Sequence, residues 1–344
     1  TFAYMTALWA ARELRGITTV VASEKSHLSM RKAADILGLK YVAVPTDDTH
    51  VMQTDELPSL SDAALVLTAG TVATGALDDL QRPDGVAWLH VDAAWAGPLR
   101  LSKRYADRLE GITAADSVGF SAHKWLYQPK GSALVMFQAA EEVHQALSYG
   151  GGYLATPNIG LLGSTPAAAV PLAAMLLSWG RSGLVERIES DMAKADQLAD
   201  LVQGDSRFEL WGPNRSGVIV WRPRQVRAEE VRARLQQAWV SLTEINAKKK
   251  VFAQWAIGTH VKKHGFMGDR NQSKKAWTTN ADVHTWPHVP TYAAMATCTH
   301  VHMYTRTHVR MCTWTPLLVY TCAHVHTYTS THGRMCTSAH VHMY

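Results

Sequence analysis

The chain has 344 residues, 47% of them hydrophobic and 18% charged, with a formal net charge of +5. That balance suits a soluble globular protein, and the length allows two domains with a sizeable core in at least one. Its dispersed basic residues, the short Lys248-Lys249-Lys250 group and the lack of a membrane-length apolar run argue against nucleic acid or a membrane as partner.

The opening stretch TFAYMTALWAARELRG lacks the basic region and cleavage site of a signal peptide. It reads as an amphipathic helix over Phe2 to Leu14 cut from within a domain, so Thr1 is not expected to be the natural start. The β-rich ITTVVAS follows, then a helix in SMRKAADILG ending at Gly38, and a short strand in KYVAVP. AALVLTAGT and VAWLHVDAA are apolar runs too continuous for a one-faced strand, as buried parallel strands require. Strands alternating with helices predict an α/β fold with a mostly parallel sheet covered on both faces. A long helical stretch from Ala167 to Val202 is expected to break around Pro171 and Gly180. FELW and GVIVWRP read as strands and RAEEVRARLQQAW as a helix, a group that suits a smaller α+β domain. The expected division is a large domain over 1–178, part of a small domain over 179–246 and a tail over 247–344.

The tail has a different character. From Thr297 to Thr313 the odd positions are only Thr, Val or Met and the even ones only Cys, His, Tyr or Arg. Translation of an alternating purine–pyrimidine repeat produces that pattern, so the tail reads as repeat-derived and is expected to be disordered rather than a sheet. All four cysteines (Cys298, Cys312, Cys322, Cys336) and twelve of the 17 histidines lie after residue 259. The cysteines lack the short paired spacings of zinc sites, so no structured metal centre is expected. A thiol-free body offers no disulfide framework and fits a reducing, cytoplasmic compartment.

Three stretches of the body carry chemistry. HVDAAWAG places Asp92 at the end of a hydrophobic strand, where open α/β sheets bind ligands. SVGFSAHKWL sets Lys124 among apolar residues, and SEKSHLSMRKAA sets His27 before a helix. Taken singly, Asp92 also suits a turn or N-cap, Lys124 a snorkelling surface chain and His27 a helix cap. Taken together they suit pyridoxal phosphate, which needs a lysine for its aldehyde and an acid to keep its ring nitrogen protonated.

With these motifs in this order, the sequence resembles the pyridoxal-phosphate-dependent group II amino-acid decarboxylases, from Thr1 to about Asn246. Ser117-Val118, five residues, then Lys124 and two apolar residues match the family's lysine signature. The resemblance implies a fold-type-I large domain with part of a small C-terminal domain, and decarboxylation of an L-amino acid by a homodimer. It implies that Lys124 carries the cofactor as a Schiff base, Asp92 pairs with the pyridinium nitrogen, Ala94 lies against the ring and His27 stacks on its other face. His123 and Ser121 would lie near the phosphate, with Ser121 standing where relatives often have Asn. Thr71, in TAGTVATG, would lie near the substrate carboxylate and the ring oxygen. Tyr153, in GGGYLATP, would be the mobile-loop proton donor. Trp95 resembles the acidic or diaminobutyrate members rather than the aromatic ones.

Departures from the family pattern are also legible. The Gly-rich phosphate-binding turn would precede Thr1, the N-terminal clasp is not expected within this stretch, and Thr165 stands where relatives usually carry arginine. The alternatives are another fold-type-I pyridoxal enzyme, such as a desulfurase or aldolase, and an inactive decarboxylase fragment.

Overall fold

The structure is a computed structural model describing residues 1–152, 154, 157–162, 167, 169–234, 240–245, 249–255, 323–329 and 335–341. Tyr153 and Thr165 lie outside the described residues.

Helix α1 (Phe2–Arg15) buries Tyr4, Met5, Leu8 and Ala11, the i, i+3, i+4 stripe of an amphipathic helix. It stops at Gly16, whose φ of 62° returns its N–H to the Arg12 carbonyl. Strand β1 (Thr19–Ser23) leads to α2 (Ser29–Leu37), which ends the same way at Gly38, φ 70°. Then come β2 (Lys40–Val44), β3 (Ala63–Thr68), β4 (Trp88–Asp92), β5 (Ser117–Ser121) and β6 (Ala133–Phe137).

These six strands form one sheet in the order β2-β1-β3-β4-β5-β6. Every neighbouring pair from β2 to β5 is parallel, and β6 returns antiparallel to β5. Every residue of β3 and β4 is buried, β3 as its nearly unbroken apolar run requires and β4 with His90 and Asp92 carried inside among apolar neighbours, whereas the edge strand β2 is mostly exposed or half-buried. From β1 the chain steps to one edge to make β2, then crosses back to lay β3, β4 and β5 on the other side. The reversal lies between β1 and β3, and at such a switch point open α/β sheets bind ligands outside the carboxyl ends of their strands. On one face, α1 and α2 bury Leu8, Met30 and Ala33 against Val20, Val66 and Trp88.

Helix α3 (Ala140–Leu147) and the short antiparallel strands β7 (Ser148–Tyr149) and β8 (Asn158–Ile159) follow. Helix α4 (Ala169–Gln203) departs from helical geometry at Gly180, with φ 61° and ψ −176°. The break expected at Pro171 does not occur, because Pro171 falls in the first turn, where its missing N–H would have no intrahelical acceptor.

A second, antiparallel sheet contains β9 (Phe208–Leu210), β10 (Val218–Pro223), β11 (Ser241–Ile245) and β12 (Lys249–Trp255), with helix α5 (Ala228–Arg234) between β10 and β11. Strand β12 lies past the boundary expected at 246 and pairs with both β10 and β11, so it is an inner strand of this sheet. The described residues 1–152 and 157–255 form one compact unit, and α4 runs through the division expected at 178.

A separate unit holds strand β13 (Ala323–Thr329), paired antiparallel with β14 (Met335–Val341) from Ala323 opposite Val341 to Thr329 opposite Met335. Disorder was the expectation for this stretch. The physical reason for the difference is the alternation itself, since a strict period of two is the period of a strand. Among the described residues no helix is long and apolar enough to cross a membrane.

Candidate active site

The chemistry-bearing side chains gather at the carboxyl ends of the parallel strands. Asp92 closes β4 and is almost fully buried. Its backbone carbonyl accepts the Ala69 N–H at 2.8 Å, tying it to the end of β3. Both hydrogen bonds that its carboxylate accepts among the described residues fall on Oδ1, from the Tyr4 hydroxyl at 2.5 Å and the Ala94 N–H at 3.0 Å.

Tyr4 reaches Asp92 from α1. Its ring stands edge-on to His90, centroids 5.6 Å apart. Gly119 of β5 makes room for it, because a Cβ there would come within 2.7 Å of Tyr4 Cε1. Burial first, then Asp92, push the phenol well above its ordinary range, so it stays a donor.

His90 is fully buried on the same strand as Asp92. The Trp88 indole N–H can only donate, so Ser117 Oγ accepts it at 2.9 Å and can turn its own hydrogen towards His90 Nδ1, 2.8 Å away. Burial lowers the His90 pKa to about 4, against the pull of Asp92, and the imidazole is neutral.

Lys124 lies three residues past the end of β5, the strand beside Asp92. Desolvation lowers the amine from its ordinary range, while Asp92 acts in the opposite direction. Its Nζ stands 5.8 Å from the centroid of the Trp95 ring. That ring is fixed by a 2.6 Å hydrogen bond from its indole N–H to the Ser216 carbonyl and by edge contact with Trp125, centroids 5.6 Å apart. Ser216 Oγ donates to the Gly75 carbonyl at 2.7 Å, so one residue holds both Trp95 and the turn after β3. The loop carrying Lys124 is anchored further along, where the Tyr127 hydroxyl donates to Asp191 of α4 at 2.5 Å.

His27 follows β1 and opens α2. Its Nδ1 accepts the Ser29 N–H at 3.2 Å and lies 2.6 Å from Ser29 Oγ, which leaves Nε2 as the ring's other hydrogen-bonding atom. Desolvation lowers the imidazole pKa; Asp92 raises it and Lys124 lowers it further. Asp92, Lys124 and His27 therefore share one electrostatic neighbourhood although 97 positions separate the first of them in the chain from the last.

The remaining expected residues have separate placements. Thr71 is buried, but its hydroxyl is engaged in its own turn, 2.9 Å from Thr74 Oγ1 and accepting the Ala76 N–H at 3.0 Å. His123 is exposed, with Nδ1 3.3 Å from the Ser132 carbonyl, a different set of contacts from its neighbour Lys124. Ser121 ends β5 half-buried, its N–H 3.4 Å from the Ala94 carbonyl, and Ala94 packs against the core beneath α1. Hollows of about 390 and 420 Å³ lie elsewhere on the surface and are lined by none of these residues.

Tyr4 and Ser216 belong to none of the motifs that pointed to the site. For Tyr4 a signal exists, since it sits on the buried stripe of α1 and a buried phenol needs an acceptor. For Ser216 there is none, because its contacts are made across more than a hundred residues of chain.

A desolvated amine, a carboxylate with one oxygen still open and an imidazole whose pKa burial lowers, in one neighbourhood, fit pyridoxal phosphate. The family described as the pyridoxal-dependent decarboxylase conserved domain matches residues 6–224. The chain belongs to that family.

Among relatives, this decarboxylase-family chain is 32% identical over 257 residues to the aspartate 1-decarboxylase of Aliivibrio fischeri, covering 61% of this chain and 47% of the relative. It is 28% identical over 263 residues to a tyrosine decarboxylase of Oryza sativa subsp. japonica, covering 64% and 49%. The chain thus spans about half the length of the curated relatives it matches. Its fold is similar to that of Oryza sativa TDC solved with PLP and tryptamine, TM-score 0.65 at 22% identity, covering 73% of this chain and 63% of that one. Mouse CSAD in apo form gives a TM-score of 0.63 at 20% identity, covering 74% and 65%. The expected fold-type-I α/β architecture is therefore correct.

Proposed function

We propose that this chain carries the cofactor-binding core of a pyridoxal-phosphate-dependent decarboxylase acting on an L-amino acid. The observation that carries the reading is the desolvated Lys124 amine beside the buried Asp92 carboxylate at the ends of neighbouring parallel strands.

When bound, pyridoxal phosphate supplies an aldehyde for a lysine amine and a protonated ring that accepts the electron pair left when carbon dioxide departs. Lys124 would hold the aldehyde, and its partial desolvation favours the neutral amine that such attachment needs. Asp92 would hold the ring nitrogen and keep it protonated. Ala94 and His27 would flank the ring, with Ser121 and His123 near the phosphate and Thr71 near the substrate carboxylate. Tyr153, outside the described residues, would deliver the proton that completes the amine. Trp95, locked by Ser216 and Trp125 with its ring 5.8 Å from the Lys124 Nζ, would shield one side of the lysine from water.

The proposal extends to a cytoplasmic homodimer. A thiol-free stretch through residue 297 supports the compartment, and the exposed Leu176 and Leu177 of α4 support a subunit contact.

Borohydride reduction of the full chain with pyridoxal phosphate, followed by peptide mapping, tests the site. A pyridoxyl group confined to Lys124 is expected, and carbon dioxide release from L-aspartate and L-tyrosine then tests the reaction. Scattered labelling overturns the site. Labelling at Lys124 without carbon dioxide from any of the common L-amino acids overturns the decarboxylase reading and favours another fold-type-I chemistry.

A further inference from the structure

Asp92 is held from behind by a side chain that marked no motif. Tyr4 is 6% exposed, wedged between His90 and the bare backbone of Gly119, with its hydroxyl 2.5 Å from Asp92 Oδ1. The Ala94 N–H reaches the same oxygen from the turn after β4. Two donors arriving from different elements stop the carboxylate from rotating about its Cβ–Cγ bond. Oδ2 receives no donor among the described residues. An acceptor that is already oriented loses less entropy when it engages a ligand.

We propose that Tyr4 is a positioning residue for Asp92, fixing the carboxylate so that Oδ2 is the oxygen offered to the ring nitrogen of pyridoxal phosphate. The inference rests on the cofactor reading above. It assigns the first helix a part in the site besides its packing. The rival geometry is a placeholder, in which the Tyr4 hydroxyl occupies the acceptor that the ring nitrogen would use and must leave when the cofactor enters.

The test compares the full wild-type chain with Tyr4→Phe and Asp92→Asn, each titrated with pyridoxal 5′-phosphate carrying ¹⁵N in the ring. Dissociation constant, ring ¹⁵N resonance and thermal midpoint are read for each. Tyr4→Phe is expected to weaken binding about tenfold, the size of one hydrogen bond to a charged group. It should move the resonance part of the way towards its position in Asp92→Asn. An unchanged affinity and resonance in Tyr4→Phe, with both altered in Asp92→Asn, overturns the role of Tyr4 and leaves the cofactor reading standing. Tighter binding by Tyr4→Phe makes it a placeholder and also overturns the proposal. A wild-type chain that takes up no pyridoxal phosphate overturns the cofactor reading and the proposal with it. Should Tyr4→Phe fail to fold, 3-fluorotyrosine at position 4 decides, because a stronger donor of nearly the same shape must move the ring resonance. An unmoved resonance there overturns the proposal.

Discussion

The middle of the six-stranded sheet and its carboxyl rim are built from opposite materials. Beneath α1 and α2 the contacts are made by Leu8, Val20, Met30, Val66 and Trp88, side chains that need the right shape and the absence of water. A few residues further along the same strands, Asp92 and the loops carrying Lys124 and His27 hold desolvated polar groups. Their state depends on particular partners. The comparison teaches that stability and chemistry are separable here along the length of single strands. β4 contributes Trp88 to the packed face at one end and Asp92 to the site at the other.

The largest expected effect sharpens this separation. Lys124→Ala should abolish borohydride-fixed cofactor, read by mass mapping, while its urea midpoint stays near that of the wild type, since a desolvated amine is removed. The complementary change lies in the packed middle. Leu8 is fully buried, and Leu8→Ala should lower unfolding free energy by about 2–5 kcal/mol in urea titration, with labelling of Lys124 per folded molecule unchanged.

A pH effect comes next. Asp78 is buried and accepts the N–H groups of Met52 and Thr68, and burial raises its pKa to about 6. With a folded pKa above the unfolded value, its protonated form stabilises the fold at low pH, and that contribution is lost as pH rises through about 6. His90 acts in the opposite sense, because its folded pKa of about 4 lies below the unfolded one and stability is lost as pH falls from about 6.5 towards 4. Asp78→Asn should therefore make stability fall more steeply between pH 6 and 4, by about 3 kcal/mol relative to the wild type, in urea titrations across that window. Parallel wild-type and variant curves would show that Asp78 does not titrate differently in the folded chain.

The smallest effect concerns the brace between the sheets. Ser216→Ala removes the bond to the Gly75 carbonyl but leaves the backbone acceptor of Trp95, and should cost about 1 kcal/mol. Faster amide exchange at Gly75 and Ala76, with the Lys124 adduct retained, is the expected signature. Loss of that adduct would mean that rim and middle are not separable.

Much of this was legible in the chain itself. The apolar stripe of α1, the glycines that end α1 and α2 and the mostly apolar runs of β3 and β4 are local patterns, and the structure has those elements at those places. Asp92 and Lys124 were legible because a strand end and a lysine among apolar residues are each visible in a few positions. Pro171 was misread as a break because its effect depends on where the helix begins, and β12 was missed because a strand that opens inside the Lys248-Lys249-Lys250 group shows no local sign of its partners.

The amino-acid sequence alone determined α1, α2, β1 to β4 and the β9, β10 and α5 group, the parallel character of the main sheet and the residue types available for a pyridoxal site. Only the tertiary structure decided that Tyr4 meets Asp92 across 88 positions, that Ser216 reaches Trp95 across 121 and that Lys124 and His27 feel one carboxylate. The physical reason is one of range. Helix and strand periodicity are set by neighbours within a few residues, whereas desolvation and hydrogen bonding depend on whichever groups folding brings within a few ångströms.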